Sequence, residues 1–172
     1  MTAGKTHTEI VEEQFGPQAA AYLSSATHAE GEDLGRLAVL LQKHPEAELL
    51  DLGCGGGHVS YTAAAHVRQV TAYDMSPQML GVVASAAREK GFANIRTQQG
   101  VAEHLPFADA SFDLVVSRYS AHHWHDVGRA VREAARVLKP GGQFVLMDVA
   151  APGPALLDIY LQTVEMLRDT SH

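Results

Sequence analysis

The sequence predicts a doubly wound α/β domain built on a mostly parallel sheet. Two observations carry this. Strand-length apolar runs alternate with longer segments of helical period, and the first apolar run passes directly into a glycine-rich turn that opens a helix. Strands alternating with helices form parallel βαβ units with right-handed crossovers. A chain of 172 residues suits one domain, and no repeat, low-complexity tract or linker divides it.

Taken in order, residues 1–45 read as a helical cover. Phe15 and Tyr22 stand two turns apart on one helical face, and Leu34, Leu37, Ala38 and Leu41 make a stripe that packs on a sheet. The βα core occupies 46–150, with strands at 48–52, 69–73, 95–99, 112–117 and 143–149 and helices at 59–66, 77–90 and 126–138. Ser76 before Pro77 is an N-cap followed by a proline in the first turn. Met79, Leu80 and Val83 read as core. Pro140-Gly141-Gly142 stops the last helix and turns the chain into the fifth strand. Residues 151–172 suffice for one helix but not for a further hairpin. The strand at 143–149 is therefore expected to present an open edge, through which copies of the chain could pair.

Composition narrows the function. There are 13 basic against 20 acidic residues and a formal charge of −7, with no Lys/Arg cluster to neutralise phosphates. Nucleic acid is thus disfavoured as a partner, and a small-molecule substrate is the better expectation. No apolar run reaches membrane-spanning length, the start lacks a signal-peptide pattern, and the single cysteine fits a reducing compartment. Together these point to the cytoplasm.

The stretch "LLDLGCGGGH" carries the chemistry. A strand ending in glycines and opening a helix turns backbone N–H groups toward a ligand crevice. In the dinucleotide fingerprint G-x-G-x-x-G, the third glycine would fall on His58 or Ser60, so both registers fail. No Lys-Ser or Lys-Thr follows to make a P-loop. Asp51 stands two residues before the G-x-G-x-G run, where a carboxylate repels pyrophosphate and suits an ammonium or sulfonium group. The bland alternative is a tight βα turn with no ligand. Asp74 closes the second strand 21 residues after Gly53, the distance at which an acid accepts ribose hydroxyls. Nicotinamide enzymes share that feature, and capping the next helix is its structural alternative.

Across most of the chain, "FGPQAAAY", "DLGCGGG", "YDMSPQML", "AEHLPF", "SFDLVVSR" and "EAARVLKPGG" occur in the order seen in one family. The chain resembles class I S-adenosylmethionine-dependent methyltransferases of the small-molecule, ubiquinone/menaquinone-biosynthesis type. The resemblance implies a Rossmann-like sheet of order 3-2-1-4-5, here without the usual C-terminal β-hairpin, and S-adenosyl-L-methionine as cofactor. It implies that Asp51, Gly53, Cys54, Gly55 and Gly57 surround the methionine part, with Ser117 close to it, and that Tyr22 reaches its carboxylate. It further implies that Asp74 binds the ribose, Met75 packs on the adenine and Ala102 offers the ring its backbone N–H. Glu103 and His104 lie beside Ala102, within reach of the pocket or in a solvated loop. One departure stands out: Val101 occupies the place where the family usually has an aspartate that accepts from the adenine amino group.

"SRYSAHHWHD" follows the fourth strand, where the family places the mouth of the acceptor pocket. Arg118, Tyr119, His122, His123 and Trp124 are candidates to shape it. Aromatic rings suit an apolar acceptor, and a histidine can take its proton near neutral pH. A polar helix start with Asp126 near the N-cap is the bland reading. A metal site is disfavoured, since the spacing of His122, His123, His125 and Asp126 matches no recognised ligand pattern. Cys54 reads as a small residue between glycines, not a nucleophile. The leading expectation is a methyltransferase acting on a small, apolar or aromatic acceptor. A cofactor-binding module with little catalysis and a nicotinamide dehydrogenase are the alternatives.

Overall fold

A computed structural model of the protein describes residues 31–149. Tyr22, Phe15, most of the N-terminal cover and the helix expected at 151–172 lie outside them. The described elements alternate except that β3 is followed directly by β4: α1 (Glu32–Leu41), β1 (Glu48–Leu52), α2 (His58–Ala64), β2 (Gln69–Asp74), α3 (Pro77–Glu89), β3 (Ile95–Gln99), β4 (Phe112–Arg118), a 3₁₀ turn (Ala121–His123), α4 (Val127–Val137) and β5 (Leu138–Met147). The five strands form one sheet of order β3-β2-β1-β4-β5, and every pairing is parallel. The expected order and parallel sense are both present.

β1 is the middle strand, and its side chains alternate between two cores. Leu49 joins Val70, Leu114 and Val116 beneath α1 and α2, where Leu34, Leu37, Val59 and Ala63 close the layer. Leu50 and Leu52 join Tyr73 and Val115 on the other face, beneath Ala130, Ala134 and Val137 of α4. A third cluster unites Cys54, Tyr61, Ala72, Leu80 and Val83 under α3. Parallel strands buried on both faces need near-continuous apolar runs, which is why β1 and β4 were legible as strands. β3 is polar at Arg96–Gln99 and lies at the sheet edge, where charge and amide side chains discourage further pairing.

The helix starts follow local chemistry. Ser76 caps α3, its hydroxyl accepting from the Met79 N–H at 3.3 Å, with Pro77 in the first turn. Asp126 caps α4 through the Arg129 N–H at 2.8 Å. Glu32 and Asp33 occupy the first turn of α1, where carboxylates favour the positive end of the helix dipole.

The fifth strand differs from expectation. β5 begins at Leu138, directly after α4, and Leu138 pairs with Phe112. The ladder then jumps, so that Leu114 faces Gln143, and Lys139-Pro140-Gly141-Gly142 bulges out within the strand. Leu138 is already extended at φ −72° and ψ 136°, and Gly141 takes φ +81°. Lys139 Nζ holds the bulge by an ion pair to Asp113 Oδ2 at 2.8 Å. The strand also ends earlier, leaving Asp148 and Val149 beyond it. Among the described residues β5 pairs only with β4, and no described helix is long and apolar enough to cross a membrane.

Leu50 is fully buried at the centre of the sheet. Leu50→Ala is expected to lower stability by about 2–5 kcal/mol, the range for opening a cavity in a packed core. Urea denaturation checks this: the midpoint should fall with the slope unchanged.

Candidate functional site

The carboxyl ends of β1, β2, β4 and β5 meet on one side of the sheet, where parallel α/β sheets bind ligands. The loop after β1 shapes its floor. Gly53, Gly55 and Gly57 all have positive φ, at 74°, 48° and 85°, a region costly for side-chain-bearing residues. Each also has its own steric circumstance. A Cβ on Gly53 would collide with the Ser120 hydroxyl, and one on Gly57 would come within 2.8 Å of the Tyr61 ring and 2.9 Å of Val83. A Cβ on Gly55 would meet nothing within 4 Å. The first and third glycines therefore admit protein neighbours, whereas the second faces open space.

Hydrogen bonds tie this loop to β2. The N–H groups of Gly53 and Cys54 both donate to the Tyr73 carbonyl, at 2.9 and 3.0 Å. The next N–H, from Gly55, donates to Asp74 Oδ2 at 2.8 Å. Asp74 Oδ1 accepts from the Ser76 N–H at 2.9 Å. Each Asp74 oxygen thus holds one backbone donor and retains a lone pair for another.

Asp51 is nearly inaccessible, at 1% exposure, and accepts from the Ser60 hydroxyl at 2.6 Å. Burial is the main force pushing its pKa up to about 7; the Asp74 charge adds to this, while the Ser60 bond and Arg118 oppose it. Asp74 is raised as well, chiefly by burial, with the Ser76 and Gly55 N–H groups pulling the other way. Two neighbouring carboxylates both resist ionisation here, an arrangement that a cationic group in the crevice would relieve. Cys54 is buried, and burial with the Asp74 and Asp51 charges pushes its thiol well above the ordinary range. A thiol so disfavoured as thiolate is a packing residue, as expected from the sequence.

The segment after β4 folds over Gly53. Tyr119 adopts φ +52°, and its N–H donates to the Met147 carbonyl at 2.8 Å. Trp124 Nε1 donates to Ser120 Oγ at 3.1 Å, which places the indole beside the first glycine. His122 Nδ1 lies 2.6 Å from Asp148 Oδ1, and Asp148 Oδ2 accepts from the Ala121 N–H at 2.9 Å. The His122 and His123 rings are tilted against each other with centroids 4.0 Å apart. Among the described residues, no three His, Cys, Asp or Glu side chains converge as metal ligands.

Other candidates fall in different surroundings. Arg118 turns to the α1 face, where Nε pairs with Asp33 Oδ2 and Nη2 reaches Oδ1 at 3.2 Å. That hydrogen bond is the main reason the Asp33 carboxyl titrates below its usual range. Glu103 Oε1 accepts from the Asp126 N–H at 3.0 Å, at the start of α4. Ser117 is fully buried, and its hydroxyl has no hydrogen-bond partner among the described residues. Met75, just after β2, is half-buried, and Ala102, on the loop after β3, is buried. Val101 is exposed, its carbonyl accepting from the Tyr73 hydroxyl at 3.2 Å. Sequence reasoning missed Ser60, Asp33 and Asp148. For Asp148 a signal existed: like Asp51 and Asp74, it is an acid near the carboxyl end of an apolar strand.

Comparison with known proteins agrees with this fold. The methyltransferase domain family matches residues 50–146. The chain is 59% identical over 120 residues to the uncharacterized protein YafE of Escherichia coli, covering 70% of this chain and 58% of that one. It is 44% identical over 161 residues to the uncharacterized methyltransferase YcgJ of Bacillus subtilis, covering 94% and 64%. The crystal structure of YcgJ superimposes with a TM-score of 0.76 at 43% identity, over 82% of this chain and 60% of that one. A demethylmenaquinone methyltransferase of Chlorobaculum parvum is 36% identical over 118 residues, covering 67% and 47%. The chain thus spans less than two thirds of the length of these relatives.

The raised Asp51 gives a signed pH dependence. Folded Asp51 holds its proton up to about pH 7, whereas an unfolded aspartate releases it near pH 3.9. The folded state binds more protons across that window, so this group's contribution is fully present at low pH and is lost as pH rises toward 7. Asp51→Asn removes the dependence while leaving an acceptor for Ser60. The stability of Asp51→Asn minus that of wild type should rise between pH 4 and 7, as read from urea midpoints; a flat difference would contradict the assignment.

Proposed function

This chain belongs to the methyltransferase domain family, and on that premise we propose that it transfers a methyl group from S-adenosyl-L-methionine to a small, apolar or aromatic acceptor. The observation that carries the proposal is the open space at Gly55. Backbone there takes a left-handed turn with no atom over its α-carbon, next to the Asp74 carboxylate that holds the loop. Loop, carboxylates and the open space at Gly55 suit a ligand with a ribose at one end and a cation at the other.

The residues divide the work along that ligand. Gly53, Cys54, Gly55 and Gly57 wrap its methionine part, with Asp51 lending negative potential from behind the loop, since its carboxylate is buried against Ser60. Asp74 takes the ribose hydroxyls with the lone pairs that Gly55 and Ser76 leave over. Met75 and the Ala102 N–H meet the adenine. Ser117 offers a hydroxyl that has no partner among the described residues, at the crevice end of β4. When bound, S-adenosylmethionine supplies an electrophilic methyl group on a positively charged sulfur. The protein's part is to orient the acceptor in line with that methyl and to exclude water. Tyr119 and Trp124 supply aromatic surface for an apolar acceptor. The reading as a binding module with little catalysis is not favoured, because the similarities run to methyltransferases.

Two binding experiments test this. Calorimetric titration should show S-adenosylmethionine and S-adenosylhomocysteine binding in preference to NAD, and Asp74→Ala should weaken both by at least about tenfold, as expected for losing charge-assisted hydrogen bonds. Preference for NAD, or unchanged affinity in Asp74→Ala, would overturn the assignment. Val101→Asp should tighten S-adenosylhomocysteine binding by restoring an acceptor for the adenine amino group. Weaker or equal binding would show that the ring lies elsewhere.

A further inference from the structure

We propose that Tyr73 is a positioning residue for the nucleobase of the cofactor, its hydroxyl fixing the peptide between Val101 and Ala102 so that the Ala102 N–H is presented to the ring. This rests on the methyltransferase reading and specifies how its adenine end is built. The turn at 101–104 hangs on one phenol. Tyr73 is 1% exposed, and its hydroxyl lies 3.2 Å from the Val101 carbonyl and 3.2 Å from the His104 carbonyl. The His104 N–H closes the turn on the Val101 carbonyl at 3.1 Å. Burial, with the Glu103 and Glu133 charges, pushes the phenol up to about 12, so it keeps its proton and donates. The chain on either side is tied down as well. Before the turn, the Gly100 N–H donates to the Asp74 carbonyl at 3.0 Å and Gln99 Nε2 to the Met75 carbonyl at 3.0 Å. After it, the Leu105 N–H donates to Glu133 Oε2 at 2.9 Å.

Peptide geometry converts this anchoring into a direction. The Val101 carbonyl and the Ala102 N–H belong to one planar trans unit and point opposite ways, and no cis bond occurs among the described residues. A carbonyl turned to the buried phenol therefore turns the Ala102 N–H away from it. Among the described residues that N–H bonds to no backbone carbonyl, so it is left as a donor that a ligand can satisfy. Valine at 101 has no polar side-chain atom, so that position serves the base only through its peptide. A Cβ on Gly100 would lie 1.9 Å from the Tyr73 hydroxyl oxygen and 2.6 Å from the ring carbon that bears it. Phenol and turn thus fit together only over a glycine. The main chain of Tyr73 serves the other end of the crevice, its carbonyl accepting from the Gly53 and Cys54 N–H groups at 2.9 and 3.0 Å. One residue braces both loops, and mutation can separate its two contributions.

The test uses the full chain, with Tyr73→Phe as the informative variant, because it removes the hydroxyl and leaves the carbonyl that holds the glycine loop. By calorimetry, S-adenosylhomocysteine should bind about three- to tenfold more weakly, as for one lost hydrogen bond, while S-ribosylhomocysteine, which lacks the base, should lose less than about twofold. Gly100→Ala pushes on the same phenol from the other side and should reproduce that selectivity. Asp74→Ala, by contrast, should weaken both ligands alike. In proton–nitrogen NMR the wild-type Ala102 amide proton should move downfield with S-adenosylhomocysteine and not with S-ribosylhomocysteine, and the movement should shrink in Tyr73→Phe. Equal losses for the two ligands in Tyr73→Phe, an unchanged affinity for S-adenosylhomocysteine, or an Ala102 amide indifferent to the base each overturn the inference. Failure of wild type to bind either ligand would count instead against the methyltransferase reading. Hydrogen exchange of the His104 amide, which needs no ligand, would then still judge the anchoring: it should quicken in Tyr73→Phe, and an unchanged rate would show that the hydroxyl does not hold the turn.

Discussion

The structure depends on how β1 leaves the sheet. β1 is hydrogen-bonded on both sides, to β2 and β4, and its four residues after Glu48 are buried. At its end the chain must reverse into α2 within five residues without stranding backbone donors. It does so by giving two successive N–H groups to one carbonyl of β2 and the next to the Asp74 side chain. Positive φ at three alternate positions makes that path possible. Loop, second strand and the Asp74 carboxylate are therefore one unit, and a change in any of them moves the others.

Electrostatics follow from this geometry. Asp51 and Asp74 both lie near the carboxyl ends of strands, in a low-dielectric setting that disfavours their charge. The protein tolerates them because each is hydrogen-bonded, Asp51 by Ser60 and Asp74 by two backbone N–H groups. A cationic ligand then gains more here than it would against ordinary surface carboxylates. Asp148 is the contrasting case. It occupies an equivalent place beyond β5, but its partners hold it ionised, so it serves an imidazole and not a cation.

The segment after β4 joins the two halves of the site. Tyr119 at φ +52° is a left-handed, side-chain-bearing residue, a conformation that costs about 1–2 kcal/mol. The bond from its N–H to Met147 and the Asp148 bond to Ala121 hold the chain there. Strain of this kind is sustained where surrounding structure over-determines it. Its consequence is that Ser120 and Trp124 cover the first glycine while His122 turns to β5.

Periodicity and caps were enough to read most elements. β1 and β3 have the expected limits, and the other strands and helices differ by one or two residues at their ends, because buried parallel strands and Ser-Pro or Asp caps announce themselves locally. β5 escaped this, since its start depends on pairing Leu138 with Phe112 across the sheet, and a proline-glycine run looks like a turn whether it ends a strand or bulges within one. In the candidate site, the glycine turn and the acids Asp51 and Asp74 that stand beside it were legible because turn and carboxylate are set by short spacings. Arg118 was not, because its partner Asp33 lies 85 positions away. His122 stood among several histidines with nothing local to single it out, until a partner 26 positions on appeared beside it. The sequence by itself determined which backbone could turn tightly and where acids would end strands, for those are properties of neighbouring residues. Only the tertiary structure decided which charge meets which, because parallel pairing brings together strand ends that are remote in the chain.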